Sequence, residues 1–186
     1  TFGCKANQLE SSAISKQFQA RGWRVMPFEA AANLYVFNTC TVTERADAEA
    51  RRMIRQLKRR QPNARIAVTG CYAQVAPDTL AGIAGVDFVI GNNVKDSLLE
   101  IIEQRISSQP LAEWDTPWIR VNQFEKSRVL ETAVASQAGI ERTRGSLKIQ
   151  DGCDYKCTYC IIWQARGPSK SLPADRVVAE VLQMVA

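Results

Sequence analysis

The 186 residues carry 24 Lys and Arg against 19 Asp and Glu, a formal charge of +5, with 46% apolar and 23% charged residues. This mix supports a packed core, and no apolar run reaches the roughly 18 residues that a membrane-spanning helix needs. The complete absence of His excludes His-bearing zinc sites, Ser-His and Cys-His nucleophile pairs and a His general base. Chemistry here must run on Cys, carboxylates, Lys, Tyr or a bound cofactor. The surplus of positive charge fits either an ordinary Arg-rich surface or attraction to a polyanion such as RNA. The sequence opens at Thr1 on what reads as the tail of a strand and closes at Ala186 within an apparent helix, so it is expected to be a fragment of a longer protein. No secretory signal is visible.

Taken in order, Thr1-Phe2-Gly3 reads as a strand end running into Cys4-Lys5-Ala6-Asn7. Leu9, Ala13, Ile14 and Phe18 fall at helical spacing and predict a helix over about 8–21, with Gly22 as its cap. A short strand over 23–26, stopped by Pro27, precedes a stronger one at 34–37 that delivers Asn38-Thr39-Cys40-Thr41-Val42-Thr43. Thr43 is a candidate N-cap for a helix to about residue 60, whose apolar stripe is Ala46, Ala50, Met53, Ile54 and Leu57. A third strand at 66–69 delivers Gly70-Cys71, and Pro77 opens a short helix. A fourth strand over 86–90 leads to a helix over about 93–105. From about 107 to 144 periodicity is lost, apart from a short strand at 118–121. A new strand over 145–150 then feeds a cysteine loop, the turn-rich 167–171 follows, and Pro173 starts a helix with Val177, Val178, Val181 and Leu182 as its apolar face. Alternating strands and amphipathic helices predict an open parallel α/β sheet. The last β–loop–α unit reads as the opening of a second parallel α/β domain.

The six cysteines fall into two sets. Cys4, Cys40 and Cys71 each lie one to three residues past a predicted strand end. A parallel sheet gathers ligands beyond the carboxyl ends of its strands, so all three are expected on one rim. Free cysteines are also common as small buried hydrophobes, which is the alternative for this set. Cys153, Cys157 and Cys160 sit within eight residues, with Tyr159 just before the last. Three thiolates on one tight loop suit an iron–sulfur cluster better than a structural zinc ion, which wants four closed ligands. Disulfides are disfavoured by the crowding of that loop, and the metal reading implies a reducing compartment.

The C-x-x-x-C-x-x-C spacing of Cys153-Asp154-Tyr155-Lys156-Cys157-Thr158-Tyr159-Cys160 resembles the signature of the radical S-adenosylmethionine (radical SAM) superfamily. Together with Gly3-Cys4-Lys5-Ala6-Asn7, Asn38-Thr39-Cys40-Thr41-Val42-Thr43, Thr69-Gly70-Cys71 and Ala165-Arg166-Gly167, it resembles the methylthiotransferase family. The Cys4-Lys5 pair and the Thr39 to Thr43 run look most like the branch acting on threonylcarbamoyl-adenosine beside the tRNA anticodon. The alternatives are the branches acting on isopentenyl-adenosine in tRNA or on an aspartate of a ribosomal protein, or an inactive truncated product. The resemblance implies an N-terminal methylthiotransferase domain over 1–106, a linker over 107–143 and the start of a radical SAM (β/α) partial barrel over 144–186.

It further implies two 4Fe-4S clusters, one on Cys4, Cys40 and Cys71 and one on Cys153, Cys157 and Cys160. The second would bind SAM and cleave it to a carbon radical; the first would hold the sulfur to be added. Tyr159 could pack on the SAM adenine or simply against its own loop, and Arg166, Lys148 and Lys156 could meet SAM or RNA phosphate. The implied partners are tRNA and a reductant protein such as a flavodoxin or ferredoxin, with the sulfur donor left open, in the cytoplasm and away from membranes. Trp163 departs from the family pattern, which has Pro at that place. The cluster of Arg51, Arg52, Arg55, Lys58, Arg59 and Arg60 is either an RNA-contact patch or the solvated outer face of its helix.

Overall fold

The computed structural model describes residues 1–110, 113–124, 127–130, 134–136 and 145–185. Its centre is a sheet of β1 (Leu34–Thr39), β2 (Arg65–Gly70), β3 (Phe88–Ile90) and β4 (Trp118–Arg120), lying side by side in that order and parallel throughout. Alternation along the strands sorts the side chains to two faces. Tyr35, Phe37, Ile66, Val68 and Val89 pack against Ala50, Ile54 and Leu57 of helix α2 (Glu44–Arg60) and against Tyr72, Ala73 and Leu80 from the short helices α3 (Cys71–Val75) and α4 (Pro77–Ala81). Ala67, Phe88 and Ile90 face the other way, onto Ile14 and Phe18 of α1 (Lys5–Ala20) and Leu98, Leu99 and Ile102 of α5 (Leu98–Ser108). Helices thus cover both faces of a fully parallel sheet.

Local chemistry sets the helix ends. The Thr43 hydroxyl accepts the Ala46 N–H at 3.2 Å, as its N-cap position predicts. Glu44 and Asp47 stand in the first turn of α2 and Lys58, Arg59 and Arg60 in the last, each sign at the favourable end of the helix dipole. Helix α1 starts at Lys5, earlier than the apolar stripe suggested, with Cys4 at its N-cap.

Several expectations are corrected. Residues 23–26 form no strand: Trp23 turns edge-on to Phe18 with ring centroids 5.4 Å apart and donates its indole N–H to Glu103, while Val25 and Met26 face solvent. Residues 1–3 contribute a single strand-like bond, from Phe2 N to Asn38 O. The helix expected at 93–105 begins as a 3-10 turn, Asn92–Ser97, before α5. The strand expected inside the linker is β4, so the main sheet extends beyond residue 106. Arg105 ties that stretch down by donating to the carbonyls of Asp87 and Thr116 at 2.8 and 2.6 Å.

Past that point, where the last β–loop–α unit was expected to open a second parallel α/β domain, the described residues form two short antiparallel ladders, β5 (Val134–Ser136) with β6 (Ser146–Lys148) and β7 (Gln150–Asp151) with β8 (Lys170–Ser171), and one parallel bridge between Val129 and Ser171. Helix α6 (Ile162–Arg166) lies between β7 and β8 in the chain, and α7 (Ala174–Val185) follows with Val178, Val181 and Leu182 exposed. Among the described residues, no helix is long and apolar enough to cross a membrane.

Candidate functional site

Cys40 and Cys71 directly follow β1 and β2, whose last residues, Thr39 and Gly70, are paired in register. Neighbouring parallel strands therefore deliver the two side chains to the same rim, both buried. Cys4 reaches that rim from the N-terminus of α1. Its predecessor Gly3 has φ +87°, and a Cβ there would stand 2.5 Å from Cys40 Cβ and 2.6 Å from its Sγ. Only a residue without a side chain lets the chain pass so close to Cys40. Burial pushes the Cys40 thiol up, with the neighbouring sulfurs of Cys71 and Cys4 adding to it. As they stand, no three Cys, Asp or Glu side chains among the described residues close to metal-binding spacing.

The donor set nevertheless suits a thiolate-ligated cluster. Three cysteines are delivered to one rim, Cys40 and Cys71 by the strand ends and Cys4 by the turn at Gly3. The buried atoms Asn38 Oδ1, Thr69 Oγ1 and Asn92 Oδ1, from the ends of β1 and β2 and the turn after β3, lack a hydrogen-bond partner among the described residues.

The second trio lies on the loop between β7 and α6. Its ends are closed by Cys153 N donating to Gly167 O and by Cys160 N donating to Cys157 O, both at 3.0 Å. Arg128 pairs with Asp154, which also accepts the Ser169 N–H at 3.1 Å. Cys153 and Cys160 are half-buried and Cys157 is exposed. One loop thus carries three cysteines that are half-buried or exposed, which also suits a cluster with an accessible side.

Between the two trios lies a buried ion network. Glu10, on α1, accepts from Lys95 Nζ at 2.6 Å, Lys148 Nζ at 3.0 Å, and Arg166 at 2.9 and 3.2 Å. Arg166 also donates to Asp151 and Asn7, both at 2.7 Å, and Lys148 to Asp151 at 2.9 Å. Burial alone would raise the Glu10 carboxyl, but Lys95, Arg166 and Lys148 override it and hold the group well below the usual carboxylate range. Asp151 is held low the same way, by Arg166 and Lys148 against its own burial. Burial drives the Lys95 ammonium down despite Glu10. The network bonds α1 to the strands and helix that flank the second cysteine loop.

Arg166 and Lys148, which could meet SAM or RNA phosphate, pair with these carboxylates. Lys156 lies over the Trp163 ring, 5.5 Å from its centroid, so Trp163 serves as a cation's aromatic seat. Tyr159 is 90% exposed. In the basic face of α2, Arg51 donates to Tyr72 OH at 2.6 Å and Lys58 to Ala64 O at 2.9 Å, leaving Arg52, Arg55, Arg59 and Arg60 exposed. The sequence pattern assigned no role to Glu10, Asn92 and Lys95, and marked Asn7 only as part of the motif around Cys4. Glu10 carried a readable signal: with Asn7 and Ile14 it sits at i, i+3 and i+7 on the buried face of α1.

Residues 1–91 match the family model described as "Uncharacterized protein family UPF0004". The whole chain is 41% identical to the threonylcarbamoyladenosine tRNA methylthiotransferase MtaB of Bacillus subtilis, covering 40% of that protein. Over 97% of its length it is 38% identical to MtaB of Aquifex aeolicus, covering 42% of it. It is 30% identical over its whole length to the tRNA-2-methylthio-N(6)-dimethylallyladenosine synthase of Zymomonas mobilis, covering 40% of that enzyme. The chain thus spans about two fifths of the curated relatives it matches.

Proposed function

From the premise that this chain carries a UPF0004 domain at its N-terminus, we propose that the full-length protein is a radical SAM methylthiotransferase. Its substrate is tRNA, and it adds a methylthio group to carbon 2 of threonylcarbamoyl-adenosine next to the anticodon, in the cytoplasm. The observation that supports the reading is the delivery of Cys4, Cys40 and Cys71 to one end of a parallel sheet, with α1 bonded through Glu10 and Arg166 to the second cysteine loop. The similarity to MtaB proteins over the whole chain supports the choice of nucleoside.

Cys4, Cys40 and Cys71 would hold one four-iron cluster and Cys153, Cys157 and Cys160 the other, each trio leaving one iron without a protein ligand. When bound, the clusters and SAM supply the one-electron and sulfur-transfer chemistry. The chain's own contribution is position and exclusion of water. Cys40 and Cys71, 5% and 2% exposed, keep bulk solvent from their sulfurs. Glu10, Arg166 and Asp151 hold the two cysteine regions in one geometry, because a bidentate Arg–carboxylate pair fixes orientation as well as distance. The exposed Tyr159 ring remains free to stack on an adenine.

Anaerobically reconstituted full-length protein tests the ligand assignment. It should hold about eight irons, as two four-iron clusters require, and replacement of any one of Cys4, Cys40 or Cys71 by Ser should remove about half of them. Mass spectrometry of tRNA from a strain lacking the gene tests the substrate. The methylthio form of threonylcarbamoyl-adenosine should vanish, and unchanged methylthio-adenosines would reject the proposal. The match to the Zymomonas enzyme supports a second reading, isopentenyl-adenosine as substrate, and the same measurement separates the two.

A further inference from the structure

Asn92 opens the 3-10 turn after β3, and its side-chain amide bridges the two cysteine regions. Nδ2 donates to the carbonyl of Ala165 at 2.7 Å and stands 3.5 Å from Cys71 Sγ, within the longer reach of an N–H···S bond. The amide's orientation follows from chemistry: Ala165 O can only accept, so the opposite assignment would set oxygen against oxygen. Oδ1 is buried without a partner among the described residues, the kind of buried polar atom that calls for an explanation. The anchor is firm, since Ala165 is fully buried and the next residue, Arg166, is locked to Glu10 and Asp151.

We infer that Asn92 is a positioning residue that aims an amide N–H at the Cys71 sulfur and so raises the reduction potential of the cluster held there. The inference rests on the reading of Cys4, Cys40 and Cys71 as cluster ligands. Reduction adds negative charge to a cluster and its thiolates, and a donor to sulfur stabilises the reduced form more than the oxidised one. Cys71 is the one cysteine among the described residues whose sulfur this side chain meets. The effect is therefore confined to one cluster. It also makes the sulfur environment of the first trio depend on the seating of α6, because the same amide is shared with Ala165.

The test uses anaerobically loaded full-length protein in which Cys153, Cys157 and Cys160 are replaced by Ala, so that one cluster reports. EPR-monitored redox titration compares this background with the same protein carrying Asn92→Ala or Asn92→Asp. The midpoint should shift to lower potential in both variants, further in Asn92→Asp, which adds a negative charge, with the iron content held at the background value. In the intact-cysteine protein the cluster on Cys153, Cys157 and Cys160 should keep its potential. A loaded cluster with an unmoved midpoint overturns the inference and leaves the ligand assignment standing. Should the background bind no iron, the ligand assignment fails and the inference with it. A measurement on unsubstituted Asn92 stands independently of how the variants load. With 15N-labelled asparagine, pulsed EPR of the reduced cluster should show a side-chain nitrogen coupling, and its absence also overturns the inference.

Discussion

Replacing Glu10 by Gln keeps the side chain's shape and removes its charge. Lys95 would suffer most, because Glu10 is its sole ion-pair partner among the described residues and its ammonium is buried. Arg166 and Lys148 would keep Asp151, at 2.7 and 2.9 Å. Stranding one partner of a buried pair costs about 3–5 kcal/mol. At roughly 2–4 °C per kcal/mol for a chain of this size, the melting temperature should fall by about 6–20 °C. Urea and thermal unfolding of Glu10→Gln, Lys95→Met and the double variant measure the effect. Lys95→Met should cost clearly less than Glu10→Gln, because Glu10 then keeps Arg166 and Lys148. The double variant should be more stable than Glu10→Gln alone, because no ammonium is left stranded. A Glu10→Gln protein within about 1 kcal/mol of wild type, the range of an exposed pair, would refute this account of the network.

Three further outcomes follow from the same geometry. The Glu10 and Asp151 carboxyls are held below their ordinary range, so their contribution is fully present above the unfolded values near pH 4 and is lost as pH falls toward the folded ones. Wild-type stability should therefore decline more steeply below about pH 5 than that of Glu10→Gln, read by urea midpoints across the acid range. Gly3→Ala should destabilise by about 2–4 kcal/mol, combining positive-φ strain with a collision at Cys40, whereas Gly22→Ala, at φ +83° with nothing within 4 Å, should cost only about 1–2. Comparison of the two by chemical denaturation isolates the collision. Charge reversal at Arg52 and Arg59 should leave tRNA affinity and its salt slope unchanged if α2 presents only a solvated face; a shallower slope would make that face an RNA contact.

Much of the sheet was legible because the signals that set it are local. β1, β2 and β3 are short runs of apolar, largely β-forming residues, and α2 carries both its stripe and its Thr43 cap in the sequence. The rim position of Cys40 and Cys71 then follows from topology, since neighbouring parallel strands must end on the same side. What escaped is set by distant partners. α3 has five residues, too few to show a period. β4 was legible as a short strand, but its place beside β3 in the main sheet was not: Arg105 holds the chain just before it through Thr116 while lying 4.4 and 5.3 Å from the rings of Trp114 and Trp118.

The ion network shows where local reading ends. A carboxylate on the buried face of a helix must find cations, because an ionised group without partners does not stay buried. Position alone therefore makes Glu10 a residue that requires a partner. Nothing near it in the chain says which cations answer, for they come from 85, 138 and 156 positions away. Two of them, Lys148 and Arg166, flank the second cysteine loop and read locally as free basic residues available to a phosphate. Pairing with Glu10 and Asp151 makes them the hold between α1, whose N-cap is Cys4, and the loop that carries Cys153, Cys157 and Cys160. The spacing between the two sets of sulfurs is then fixed by a few charge pairs as well as by the sheet, and a change at Glu10 should be felt at both.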